Sequence, residues 1–535
     1  MTIILVILTI VFPFLYKYSF VTTNQFTQIP IILSFMDYNY LINDWYVTGN
    51  KAFGPRTIFA WYLAQIAKIF SLPLIFFLHY LLYIFLIIMA TYRLTYLIFK
   101  RKYTALTTTI CIIFGATISL GGNMLITQDF SAPQLPLGLS LLAIVFLLEK
   151  KYLSSAFLFS LTSYLHPLIG FESAFIFFSI YLISTVFSKQ KVSIIIKKGL
   201  MPYLLLTLPA IYLYFSNGLK TQIDNSIKIA ILAFMRNPHH YLASVFPLSS
   251  YFYFLFSLVL LLIFSRLLKK IIHKNLSKFF FLSVTFIVIF CFLGFIATEI
   301  IPFYEFVVLQ PFRLTIYIYW ITAIVVFGGA FYLVSEKKFS PFLLLIPIFL
   351  TDINFFSSFG KLKTILVILG VCVLTFYKLI PRKIFLLFLI LFFTFSRFHY
   401  KFNFSSFYLY PSEITMVGQW VKENTPKEAV FLVPPEFESF RLVANRAIVA
   451  DWKAFPFQEK AMLEWAERMC DIGNIKNCNY KNIKENQIIA GYRTLSSEDI
   501  KNLANKYKFN YFISEVDYPL FNKIYNNRFR VYKIK

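Results

Sequence analysis

Acidic residues are scarce in this chain of 535 residues: Asp and Glu number 25 against 51 Lys and Arg, for a formal net charge of +26. Glycine, with 17 residues, and cysteine, with five, are also few. The glycines nowhere build a phosphate-binding loop or a dinucleotide fingerprint. Nucleotide-driven transport and nucleotide-sugar use by a Rossmann domain therefore lose support. Neither a Gly-x-Ser-x-Gly nucleophile elbow nor a His-Glu-x-x-His zinc motif is present. The cysteines make no CxxC and no Cys/His spacing suited to zinc.

What the chain has in abundance is apolar surface: 59% hydrophobic residues, 20% aromatic and only 14% charged. A soluble core does not need this much, so the class is an α-helical polytopic membrane protein. The positive charge would suggest nucleic acid in a soluble domain, but here Lys and Arg punctuate apolar runs, so no nucleic-acid partner is expected. A span needs about twenty apolar residues. By that measure about thirteen helices are expected, near residues 1–16, 72–99, 104–126, 132–148, 152–166, 168–187, 199–216, 247–265, 279–298, 312–333, 340–357, 362–380 and 384–397. The first run has no basic n-region before it and no small-x-small site after it, which marks a retained helix rather than a cleaved signal.

The loops between these runs sort into two alternating kinds. One kind is basic, with Lys100-Arg101-Lys102, Lys150-Lys151, the stretch from Lys189 to Lys198, Arg266 to Lys278, Lys337-Lys338 and Arg382-Lys383. The other kind carries Asp37, Asp44, Asp129, His166, Arg236, His239, His240, Glu299, Glu305, Gln310 and Arg313. Basic loops stay cytoplasmic, so the unusual chemistry gathers on the external face of an inner or plasma membrane. An N-terminus inside and an odd number of crossings place the tail outside as well.

Residues 1–400 read as the transmembrane domain and residues 401–535 as an extracytoplasmic α/β domain, because mixed sequence replaces apolar runs after Tyr410-Pro411. Strands are expected at 431–433, 447–450, 511–514 and 529–534, and helices at 412–424, 458–469 and 497–507. Cys470 and Cys478 both fall in this domain, where an oxidising compartment would allow a bridge.

Asp37 and Asp44 stand seven apart, on one face if the segment is helical, and a carboxylate there suits a general base or a divalent metal such as Mg or Mn. Asp129 is a second carboxylate that would complete a metal site with the first loop. Arg236, His239 and His240 crowd one loop and suit a phosphate, and Arg313 behind Gln310 is the strongest phosphate candidate. Glu299 and Glu305 are its candidate partners or acceptor contacts. His166 ends a span, where an imidazole joins a pocket or serves as an interfacial hydrogen-bonding residue. In the tail, Arg441, Arg446, Asp451, Trp452 and Lys453 combine aromatic faces with charged groups, a mixture suited to sugars or to ordinary ion pairs.

Asn43-Asp44-Trp45-Tyr46, Ser163-Tyr-Leu-His166-Pro167-Leu-Ile-Gly170, Arg236-Asn-Pro-His239-His240-Tyr241 and Gln310-Pro311-Phe312-Arg313 resemble the GT-C superfamily of membrane glycosyltransferases, which includes oligosaccharyltransferases and protein mannosyltransferases. The tail, with Val433-Pro-Pro435, Phe440-Arg441, Asn445-Arg446 and Asp451-Trp-Lys453, is similar to bacterial membrane proteins of the same general build. The WWDYG signature of oligosaccharyltransferases is absent, so asparagine glycosylation in particular is not implied. The resemblance implies transfer of a sugar from a polyprenyl-phosphate-linked donor to an envelope glycan, lipid or protein acceptor, with an acidic residue of the first loop as base. Asp44 is preferred over Asp37 because its Asn-Asp-Trp-Tyr context matches better. The rival readings are a flippase or exporter of lipid-linked glycans, needing the cations but no base, and a polysaccharide polymerase or ligase.

Overall fold

The computed structural model describes residues 1–16, 18–115, 119–187, 191–216, 223–336 and 412–534. The helices in chain order are α1 (Thr2–Tyr16), α2 (Gln25–Met36), α3 (Trp45–Gly49), α4 (Thr57–Ala67), α5 (Leu72–Phe99), α6 (Lys102–Phe114), α7 (Gln134–Leu148), α8 (Tyr152–Leu165) and α9 (Pro167–Val186). They continue with α10 (Val192–Tyr214), α11 (Leu248–Leu267), α12 (Lys274–Ile300) and α13 (Thr315–Ser335). Among the described residues, six helical stretches are long and apolar enough to cross a membrane: α5, α9, α10, α11, α12 and Tyr304–Ser335, which contains α13. The chain is a multi-pass membrane protein on this count. The six do not confirm the expected thirteen, and the expected spans at 340–357, 362–380 and 384–397, like the 400/401 boundary, lie outside the described residues.

The main correction concerns the expected span 104–126. The helix stops at Phe114, and Gly121-Gly122-Asn123 then runs against the start of α13. A Cβ on Gly121 would meet the Phe312 carbonyl carbon at 2.6 Å and the Arg313 amide nitrogen at 2.7 Å, so only glycine permits the approach. Irregular backbone beside a helical bundle needs protein partners for its polar groups, and this loop has them. Tyr80 and Tyr83 of α5 donate to the Thr127 and Leu125 carbonyls and hold the same loop from below. Gln25 and Gln28 of α2 bind the Phe130 carbonyl and the Ala132 amide.

In the tail, β1 (Val430–Leu432), β2 (Ala447–Ile448), β3 (Tyr511–Ser514), β4 (Asn522–Tyr525) and β5 (Arg530–Lys533) form one sheet in the order β2-β1-β3-β5-β4. The pairs β1–β2 and β1–β3 are parallel; β3–β5 and β5–β4 are antiparallel. The helices are α14 (Glu413–Asn424), α15 (Phe440–Ala444), α16 (Glu459–Ile472), α17 (Glu485–Tyr492) and α18 (Ser497–Tyr507). Ser412 and Ser496 close capping boxes at the starts of α14 and α18. Cys470 and Cys478 are disulfide-bonded, with Cα atoms 6.1 Å apart.

Candidate active site

Asp37 and Asp44 do not share a helix face, because the chain between them is a turn. Asp37 ends α2, is exposed, and accepts from the Asn39 amide. Asp44 caps α3: its Oδ1 accepts from the Val47 amide at 3.0 Å, and its Oδ2 accepts from Arg441 Nε at 2.8 Å and the Ile448 amide at 3.0 Å. Arg441 also donates from Nη1 to Asp451 at 2.6 Å, and all three side chains have no solvent exposure. The guanidinium further lies 5.1 Å over the Tyr46 ring. Although burial opposes it, the two carboxylates raise the pKa of Arg441; burial raises that of Asp451, against the pull of Arg441. This geometry corrects the reading of Asp44 as base and of Arg441 and Asp451 as sugar contacts. Both Asp44 oxygens are taken, and the triad welds the first loop to the tail.

Three further expectations are corrected in the same way. Arg446 donates to the carbonyls of Lys422, Thr425, Ala444 and Asn445, serving the turns around it. Trp452 is buried against Trp465. Glu299 accepts from the Ser244 amide and Glu305 is exposed, so neither is the partner of Arg313.

The phosphate candidates do converge. Gln310 sits in the left-handed region, φ 52°, where the helical stretch breaks before Pro311. Its Nε2 donates to Tyr241 Oη at 2.6 Å, and its Oε1 accepts from Arg313 Nη1 at 2.6 Å. Arg313 Nε donates to Asn123 Oδ1 at 2.6 Å. His240 Nδ1 lies 2.7 Å from the Gly121 carbonyl, so that nitrogen carries a proton and Nε2 of the neutral ring is an acceptor. His166 lies in the break between α8 and α9 with Nδ1 accepting from the Ile169 amide, which leaves Nε2–H as a donor. Burial, then Arg313 and Arg56, pushes His166 down to about 3. Burial first, then neighbouring cations, also lowers His239 and His240, whose rings are 4.0 Å apart. All three imidazoles are neutral near pH 7.

On the tail side, Arg236 donates from Nη2 to the Lys453 carbonyl at 3.5 Å and lies 5.7 Å from the Trp452 ring. Its Nε is buried with no hydrogen-bond partner among the described residues. Burial lowers the pKa of both Arg236 and Lys453, and the nearby cations act in the same direction; Glu438 and Glu485 oppose it. Arg56, which the sequence reading passed over, belongs to the same group: its charge reaches His166, Arg236 and Lys453. Its guanidinium stacks 4.8 Å from the Phe457 ring. Glu172, also missed, has a buried Oε1 without a hydrogen-bond partner among the described residues and lies within electrostatic reach of Arg313. Only a lone acidic residue in an apolar run signals it in the sequence.

Asp129 borders this cluster. Its Oδ2 accepts from Thr22 at 3.0 Å, it is only half-buried, and burial raises its pKa despite that bond and the charge of Lys453. Among the described residues no group of three or more His, Cys, Asp or Glu suits a metal ion, and Asp44 is fully buried with both oxygens already hydrogen-bonded. A second cleft, of about 340 Å³, lies where the first loop meets the sheet. There Arg468 stacks between Trp45 and Tyr507, 4.8 and 4.7 Å from their rings.

Comparison with known proteins gives the following. Residues 412–472 match a family model described as Domain of unknown function (DUF6798). No curated protein matches the chain. The apo oligosaccharyltransferase of Archaeoglobus fulgidus aligns over 96% of this chain and 69% of its own, at 12% identity and a TM-score of 0.48. The same enzyme tethered through a disulfide to an acceptor peptide containing the NVT sequon aligns over 96% and 68%, at 12% identity and a TM-score of 0.50. The second likeness extends over nearly the whole chain, and it shows a shared overall fold.

Proposed function

We propose that the protein is a membrane glycosyltransferase that moves a sugar from a polyprenyl-phosphate-linked donor to an envelope glycan, lipid or protein acceptor at the external face. The observation that carries this is the convergence of Arg56, Arg236, Arg313 and Lys453 with three neutral imidazoles at one end of the bundle, under the tail domain. Like charges gathered in one place favour a bound anion, and a phosphate or diphosphate is the anion a lipid carrier supplies.

In this reading Arg313, preset by Gln310 and Asn123, and Arg236, with its free Nε, grip the phosphate. His166 Nε2–H and Lys453 add donors. Asp129 takes the proton of the acceptor hydroxyl or amide as the sugar is transferred, and the carrier phosphate leaves against the cations. A divalent cation, if one is used, would find its protein ligand in Asp129 rather than Asp44. The cleft beside Trp45, Tyr507 and Arg468 offers aromatic and hydrogen-bonding surface for the acceptor.

The test is transfer by purified full-length protein from a short-chain polyprenyl-phosphate sugar, with Arg313→Ala and Asp129→Asn compared. A transferase loses turnover in both while Asp129→Asn still binds donor. An exporter of lipid-linked glycans moves its cargo in vesicles with Asp129→Asn intact, and that result would sink the transferase.

A further inference from the structure

The end of the bundle remote from this site contains a cavity of about 390 Å³. The opposition follows from the helices: His166 begins α9, whereas Ser184 and Thr185 near its other end line this cavity, and twenty residues of helix span about 30 Å. Its cationic groups are Lys100 and Lys150, and His273 adds an imidazole whose Nδ1 accepts from the Asn275 amide. Among the described residues no carboxylate lines it. Glu149, next in sequence, is held by Arg93 and Lys151, and neither Lys100 nor Lys150 has a carboxylate partner among the described residues. Leu97, Leu148, Leu276 and Phe279 supply apolar wall, and Asn275 and Thr185 supply uncharged polar groups.

A second observation concerns the backbone. Lys100 and Lys150 both stand in the left-handed region, with φ of 54° and 63°, at the ends of α5 and α7. Glycine takes such helix-ending positions with least strain. Two lysines at two unrelated helix ends, both lining one acid-free cavity, are more than insertion topology demands, since any loop position would satisfy that rule.

We infer that this cavity binds the phosphate of an anionic phospholipid headgroup, with its acyl chains along the Leu148, Leu276 and Phe279 wall. Basic pockets between helices on the cytoplasmic side are suited to such lipids. The site is independent of the proposed transferase chemistry and is read by binding alone.

The experiment uses full-length protein in detergent, with lipid retention followed by native mass spectrometry and by thermal shift. Phosphatidylglycerol, phosphatidylcholine and inorganic phosphate are added separately to wild type, to Lys100→Gln/Lys150→Gln, and to Lys460→Gln/Lys481→Gln in the tail as a charge-matched control. Phosphatidylglycerol is expected to bind and stabilise wild type and the control, with affinity for the Lys100/Lys150 variant roughly tenfold or more weaker. Equal retention of the zwitterionic lipid, or unchanged affinity in that variant, overturns the site. If inorganic phosphate alone at the same concentration stabilises wild type as well as phosphatidylglycerol does, the ligand is the free ion and the lipid assignment fails.

Discussion

Asp44 and Asp129 are two carboxylates with opposite surroundings, and the contrast predicts different effects of replacing them. Asp44 is fully enclosed and shares Arg441 with Asp451. Breaking a buried charge pair costs about 3 kcal/mol or more, so Asp44→Asn is expected to lower the thermal midpoint clearly, with activity falling in step with folded protein. A variant of unchanged stability and lost turnover would restore Asp44 as the base. Asp129→Asn is expected to leave the midpoint nearly unchanged and to cut transfer by about 10²–10⁴-fold. The pH dependence follows from the same environments. Asp129 has a pKa raised above 3.8, so turnover should rise with pH through that value and lose this acid limb in Asp129→Asn. The imidazoles are held below 6.5, so no limb should appear there. For stability the sign is reversed: as pH falls below 6.5 the unfolded chain takes up a proton at His166 that the folded one refuses down to about 3, and stability is lost across that window. Thermal melts between pH 7 and 4, with His166→Gln for comparison, check this.

At the scale of elements, the decisive feature is the glycine loop after α6, which sets Asn123 against Arg313 and Gly121 against His240. Gly121→Ala would drive a methyl into the Phe312–Arg313 backbone, an overpacking cost of about 1–3 kcal/mol, and displace Arg313. Donor affinity is expected to fall while Asp129 chemistry on bound donor persists, seen as a rise in KM larger than the fall in kcat. A larger fall in kcat would place the loop in the reaction itself. The short elements of the tail show why some were not legible. Strand β4 is an edge strand with the mixed sequence Asn-Lys-Ile-Tyr, exposed at its start and irregular against β5, so it lacks the buried aromatic and β-branched run of β3.

For the whole molecule, the joint between membrane domain and tail is built from the Asp44–Arg441–Asp451 triad and from Arg236 on the Lys453 carbonyl. The tail therefore completes the cationic group instead of resting on it. Arg441→Met, which removes the cation and leaves two buried carboxylates facing each other, is expected to loosen this joint. Limited proteolysis should then release the 412–534 region from a helical domain that remains folded. Proteolytic resistance equal to wild type would show that the triad adds little to the joint.

Apolar runs, their length and the alternation of basic loops determined from the sequence alone that the chain is a multi-pass helical membrane protein with a mixed tail, because insertion depends on local hydropathy and charge. The same local signals placed α5, α9, α11 and α12 close to their observed limits, and α16 and α18 in the tail. Which carboxylate is enclosed and which is available was decided only by the tertiary structure. Asp44 and Arg441 are 397 positions apart, and no local pattern announces that they pair. Arg56, Glu172 and Asn123 carry no motif either. They gain meaning only when helix packing brings the 119–133 loop, the break at Gln310 and the tail's Lys453 to one end of the bundle, where burial and mutual charge, and not residue type, set what each group can do.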